Sequence, residues 1–101
     1  MIPTCLGDLV LKVRSKNAGP FWVTIDVFCD RRDVFDRLVS DLSTERVAAL
    51  YQVAPGQLKR FDIPDLRVIK FSLPRPVVQG SAHDRDMHGA QYAALLEEMT
   101  L

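Results

Sequence analysis

In the stretch VRSKNAGPFWVTIDVF, residues 13–28, Arg14, Ser15, Lys16, Asn17 and Gly19 crowd one turn, and Asp26 follows within the next apolar run. Arginine and lysine beside backbone amides at a glycine turn can hold a carboxylate or phosphate by charge-assisted hydrogen bonds. Arg75 is a third cation able to join them. Asp26 demands explanation in its own right, because a carboxylate within a two-sided strand is costly unless it is paired. The chemistry suggested is an anion-binding corner.

Each of these residues also has a plainer reading. Arg14 and Lys16 near a helix C-terminus would favour the helix dipole without any ligand. Asn17 and Gly19 are turn formers. Asp26 could form a structural ion pair with Arg14, Lys16 or Arg75. His83 and His88 stand five residues apart, unlike the helical spacing of a zincin, so no metal site is expected. No GxSxG, P-loop or GxGxxG occurs, which leaves no cofactor to expect and no self-sufficient catalysis in view.

The elements that must position these groups follow from periodicity. Leu6, Leu9, Val10 and Val13 recur at helical spacing, and Asn17, Gly19 and Pro20 predict a helix end near Lys16. FWVTIDVF alternates, with Val23, Ile25, Val27 and Cys29 on one face and Trp22, Thr24, Asp26 and Phe28 on the other. Apolar groups on both faces predict an interior strand covered on both sides. Asp30 is expected to cap a helix bearing Val34, Phe35 and Leu38, and Ser43 or Thr44 a second bearing Val47, Leu50 and Tyr51. APGQL has the makings of one short helical turn; LKRFDI and LRVIKFSL read as strands around Pro64 and Asp65. A long irregular loop, 74–91, then leads into a helix over 87–99 marked by Tyr92, Leu95, Leu96 and Met99. Loops of this length in a small domain are usually functional or disordered, and the alternating charge of HDRDMHG argues against simple disorder, because local ion pairs and caps are available.

The order α-β-α-α-β-β-α places the chain in the α+β class: one small two-layer sandwich, 1–101. Helices should pack on a short sheet that is mostly antiparallel or mixed. With 101 residues there is room for one core and little for a deep cleft of its own. The balance of 13 basic against 13 acidic residues gives no nucleic-acid footprint. No apolar run approaches the ~20 residues of a membrane span. The N-terminus, with Asp8 inside its apolar part, does not read as a signal peptide. Cys5 and Cys29 in apolar company read as buried reduced thiols, hence a cytoplasmic protein.

LGDLVLKVRSKNAGPFWVTIDVF, YQVAPGQLKRF, VIKFSLPRP and GSAHDRDMHGAQ together resemble domain of unknown function family 4387, from Leu6 to about Leu96. The blocks RSKNAGPF, PRP and DRDMHGAQ are its most specific parts. The likeness picks out Arg14, Ser15, Lys16, Asn17, Gly19, Arg75, Asp84, Arg85, Asp86, Gly89 and Gln91 as motif positions; at Met87-His88 the chain departs from the family. The resemblance implies the small companion of the large AtuA-like proteins, named for acyclic terpene utilisation. The two lie in neighbouring genes or one fused chain, often among genes for organic-acid catabolism and acyl-CoA breakdown.

What the resemblance implies about function is partnership first. A domain too small for its own cleft can supply one wall of a cleft shared with a larger subunit. The expectation is therefore the small subunit of a two-component lyase or hydratase acting on a small anionic substrate, a carboxylate or acyl-CoA. Arg14, Lys16 and Arg75, supported by Ser15, Asn17, Gly19 and Arg85, would hold the substrate; Asp26, Asp84 or His88 would serve as acid or base. The alternative is a structural or regulatory module that stabilises the large protein. Self-association is a further expectation, since Phe21 and Trp22 would otherwise face water.

Overall fold

The computed structural model describes residues 4–19, 21–74 and 91–101. Its elements are α1 (Leu6–Leu9), β1 (Lys12–Asn17), β2 (Trp22–Phe28), α2 (Arg32–Asp41), α3 (Thr44–Leu50), β3 (Lys59–Ile63), β4 (Val68–Pro74) and α4 (Gln91–Glu97). A 3₁₀ turn at Pro55–Gln57 precedes β3, the short turn expected of APGQL. The four strands form one antiparallel sheet in the order β1-β2-β4-β3. The expected α+β class and two-layer build are present, with β2 in the interior of the sheet.

The first helix is the main correction to the sequence reading. It closes after a single turn, at Val10 (φ −103, ψ 163), and residues 12–17 are a strand instead of a helix running to Lys16. In KVRSKN only Val13 is buried, so period-two alternation with Lys12, Arg14 and Lys16 competes with the helical spacing of Leu6, Leu9, Val10 and Val13. Pairing decides the contest. Residues Lys12 to Asn17 lie antiparallel to Phe28 back to Val23, giving six residues a ladder partner that a short isolated helix could not match. The hairpin closes through Ala18 N donating to Trp22 O at 2.8 Å, with Gly19 at φ +76 supplying the left-handed residue. Asn17 ends β1 in ordinary strand geometry.

Helix starts were legible only in part. Ser43 caps α3, its Oγ accepting from Arg46 N at 3.1 Å. Asp30 does not cap α2. It sits at φ 67, its carbonyl accepting from Arg67 Nη1 at 2.7 Å, while Arg31 takes the cap position with no side-chain cap bond. Cys29 N donates to Arg67 O, which ties the end of β2 to the β3–β4 turn and bends the chain before the helix can begin.

One sheet face makes the core. Val13, Val23, Ile25, Val27, Ile69, Phe71 and Leu73 are buried there together with Leu6, Phe35, Leu38, Val47, Tyr92 and Leu96 from the helices. Gly7 lets α1 approach α4, since a Cβ there would stand 3.1 Å from Glu97 Cβ. Tyr51 Oη donates to Tyr92 O at 2.5 Å inside this core. The opposite face differs from the expectation that both sides of β2 are covered. Trp22 is 40% exposed, Thr24, Asp26 and Phe28 are half-buried, and among the described residues all four helices lie on the other side.

Two buried acids make the fold sensitive to alkali. Burial pushes the Cys29 thiol from 9.0 up to about 11. Burial, and secondarily Tyr92, pushes the Tyr51 phenol well above its ordinary 10.0. Both groups are neutral when protonated and have folded pKa values above their unfolded ones. Their contribution is therefore complete below the unfolded pKa and lost as pH rises through the folded one. Unfolding free energy from urea titrations should stay level up to pH 9 and then fall towards pH 11. Cys29→Ala should flatten the onset of that fall, because the unfolded thiol, at 9.0, gives up its proton before the unfolded phenol, at 10.0.

Candidate functional site

Alternation along the strands and the observed register build the open face row by row. Arg14, Asp26, Lys70 and Phe61 stand side by side across β1, β2, β4 and β3. The next row is Lys16, Thr24, Ser72 and Lys59; on the other side lie Lys12, Phe28, Val68 and Ile63. In these rows Lys12, Arg14, Lys16, Lys59 and Lys70 meet one carboxylate, Asp26, although the whole chain balances 13 basic and 13 acidic residues. The open face is therefore positive by construction.

Aromatic groups complete it. Lys12 Nζ lies 4.9 Å from the Phe28 ring centre, and Lys59 Nζ lies 5.8 Å from that of Trp22. Phe61 is 49% exposed and Phe21, in the β1–β2 turn, 67%.

At the β1 edge of this face is a hollow of about 380 Å³, lined by Arg14, Ser15, Lys16, Asp26 and Phe28. Four of these are the predicted site residues, brought together because Arg14 lies directly opposite Asp26. Ser15 lies on the core-facing side of the strand, where its Oγ accepts from Ala93 N at 2.8 Å. Its hydroxyl thus helps seat the start of α4. Asn17 shares that core-facing side, and Gly19 serves the turn. Arg75, Asp84, Arg85 and His88 lie outside the described residues.

The charges in the hollow are not spent on one another. The ion pairs among the described residues join Arg31 to Asp33, Arg37 to Asp41 and Arg60 to Asp62; Arg14, Lys16, Lys70 and Asp26 take part in none. The hydroxyl of Thr24, two residues along β2 in the next row, is buried without a hydrogen-bond partner. Unpaired charges around a concavity are what a small polar ligand requires. A larger, shallower hollow of about 610 Å³ lies between α3 and α4, but its cation, Arg46, is committed to Thr100 O at 2.6 Å.

Thr24, Lys70, Ser72 and Lys59 were not singled out from sequence. The alternation of VIKFSLP puts Lys70 and Ser72 on one face, but which face they share with Asp26 depends on a strand register no local pattern encodes. Among the described residues, no cluster of three or more histidine, cysteine or acidic side chains could hold a metal ion, and no helix is long and apolar enough to cross a membrane. Both cysteines are free, Cys29 buried and Cys5 only half-buried.

No curated protein and no solved structure matches the chain. A family model does. From residue 6 to residue 100, nearly its full length and including every element that builds the hollow, the chain matches the domain of unknown function DUF4387, and it belongs to that family.

Proposed function

We propose that this chain is the small subunit of a two-component bacterial enzyme. It would work in the cytoplasm with an AtuA-like large protein on a small carboxylate or acyl-CoA, as a hydratase or lyase. The observation that carries the reading is the hollow beside β1, where Arg14 and Lys16 stand unpaired next to an equally unpaired Asp26. The cations would orient the substrate's carboxylate and Asp26 would act as acid or base. The hollow opens on one side, on a sheet face with exposed Trp22 and Phe61, so a second protein would close it and exclude water. A second reading, a structural or regulatory module, draws on the same exposed aromatics, which would dock a partner whether or not chemistry followed.

Two measurements separate the readings. Alone, the chain should self-associate; co-expressed with the AtuA-like protein it should elute from size exclusion as one complex. Trp22→Ser should weaken that complex about tenfold, the loss of one aromatic anchor. A metabolite screen on the purified complex, with and without the small chain, then decides between catalysis and scaffolding. Turnover by the large protein alone, unchanged on adding this chain, would favour the scaffold.

A further inference from the structure

We infer that the ligand of the β1 hollow is a hydroxycarboxylic acid: a carboxylate with a hydroxyl donor a few bonds away. This rests on the anion-binding reading above and narrows it. Arg14 and Lys16, two positions apart on one strand face, can share a ligand carboxylate. Asp26 is the cross-strand partner of Arg14, so its carboxylate opens on the same hollow. A plain carboxylate held by the two cations would therefore lie close to a second negative charge, which weakens it. A donor on the ligand reverses that effect, because an ionised aspartate accepts hydrogen bonds strongly.

Charge then chooses the donor. Two cations and one carboxylate line the hollow, and Lys70, across the strand from Asp26, adds to the positive side, so a hydroxy acid, a monoanion with a neutral donor, suits it better than a ligand that is neutral overall. An amino acid would satisfy Asp26 with its ammonium group but, being neutral overall, would leave the cations under-compensated. Phe28 at the end of the hollow gives an apolar surface for the carbon chain between the two polar groups.

The test is an NMR titration of the full chain with three probes on one carbon skeleton: 3-hydroxybutyrate, butyrate and 3-aminobutyrate. Amide shifts at Arg14, Lys16 and Asp26 should move with 3-hydroxybutyrate, with affinity about tenfold above that for butyrate and above that for 3-aminobutyrate, the discrimination of one charge-assisted hydrogen bond. In Asp26→Asn the repulsion disappears and the hydrogen bond loses its charge. Butyrate should then bind better, 3-hydroxybutyrate worse, and the preference should collapse. Equal wild-type affinity for 3-hydroxybutyrate and butyrate overturns the hydroxy-acid assignment and leaves the anion site standing. Preference for 3-aminobutyrate overturns it in favour of an amino acid. No shift with any probe overturns the anion site itself.

Discussion

Arg60→Met should lower the free energy of unfolding by about 2–3 kcal/mol, a large share of the ~5–15 kcal/mol that holds a domain of this size. Arg60 projects from β3 onto the core-facing side of the sheet, and its side chain is only 13% exposed. There it acts as the C-terminal cap of α2. Nη1 donates to the carbonyl of Leu42, the residue at which the helix stops, and Nη2 to Val39 O at 3.4 Å. These are carbonyls that a helix end leaves without intrahelical partners. Nε is fixed at 2.8 Å from Asp62 Oδ1, and the guanidinium lies 5.8 Å from the Phe71 ring centre.

Methionine keeps most of the apolar stem, so the loss reports the unmet carbonyls more than a cavity. Asp62 is 37% exposed and can turn to water, so the ion pair contributes little of the total. Arg60→Lys should recover less than half, because an ammonium group cannot reach Leu42, Val39 and Asp62 together as a planar fork does. Urea denaturation of the three proteins measures this. A loss below about 1 kcal/mol for methionine would mean that α2 needs no cap from β3.

Arg60 also marks where sequence reading stops. The strands β2 and β4 were legible because Val23, Ile25 and Val27, and Ile69, Phe71 and Leu73, announce a buried face by strict alternation. Residues 12–17 announce almost nothing: one buried valine among charged and polar neighbours is too little signal. Leu6, Leu9, Val10 and Val13 happen to satisfy a helical spacing as well. What makes β1 a strand is β2, ten residues later, which needs a partner on that edge. Asp30 misled for a related reason: its type favours a cap, but with the end of β2 tied to Arg67 it sits left-handed and Arg31 takes the cap position. The site was readable in the same measure. Arg14, Lys16 and Asp26 were visible as a cluster in the chain, whereas Lys70, Ser72, Thr24 and Lys59 join them only through register.

That revision of β1 sharpens what Arg14 must do. On a helix C-terminus it would have had a purely structural role, compensating the dipole; on an edge strand it has none. The remaining plain role is a cross-strand attraction to Asp26, its neighbour across the ladder though not in ion-pair contact, worth at most about 0.2–1 kcal/mol. Lysine would preserve that attraction, since both residues carry one positive charge at the end of a long stem. A ligand carboxylate asks for more. The guanidinium offers two parallel donors, lysine a single point charge, and losing a charge-assisted contact costs about 1.5–3 kcal/mol. Arg14→Lys should therefore leave the melting temperature where it is and weaken binding of 3-hydroxybutyrate by about one to two powers of ten. Turnover of the complex with the AtuA-like partner should fall by a similar factor if the lost contact is kept into the transition state. Phe28→Leu is the control for the hollow itself: it trims the apolar wall while leaving Arg14, Lys16 and Asp26 in place, and should change affinity far less. An unchanged melting temperature beside unchanged affinity in Arg14→Lys would make Arg14 ordinary surface charge, and the hollow beside β1 would hold no anion by design.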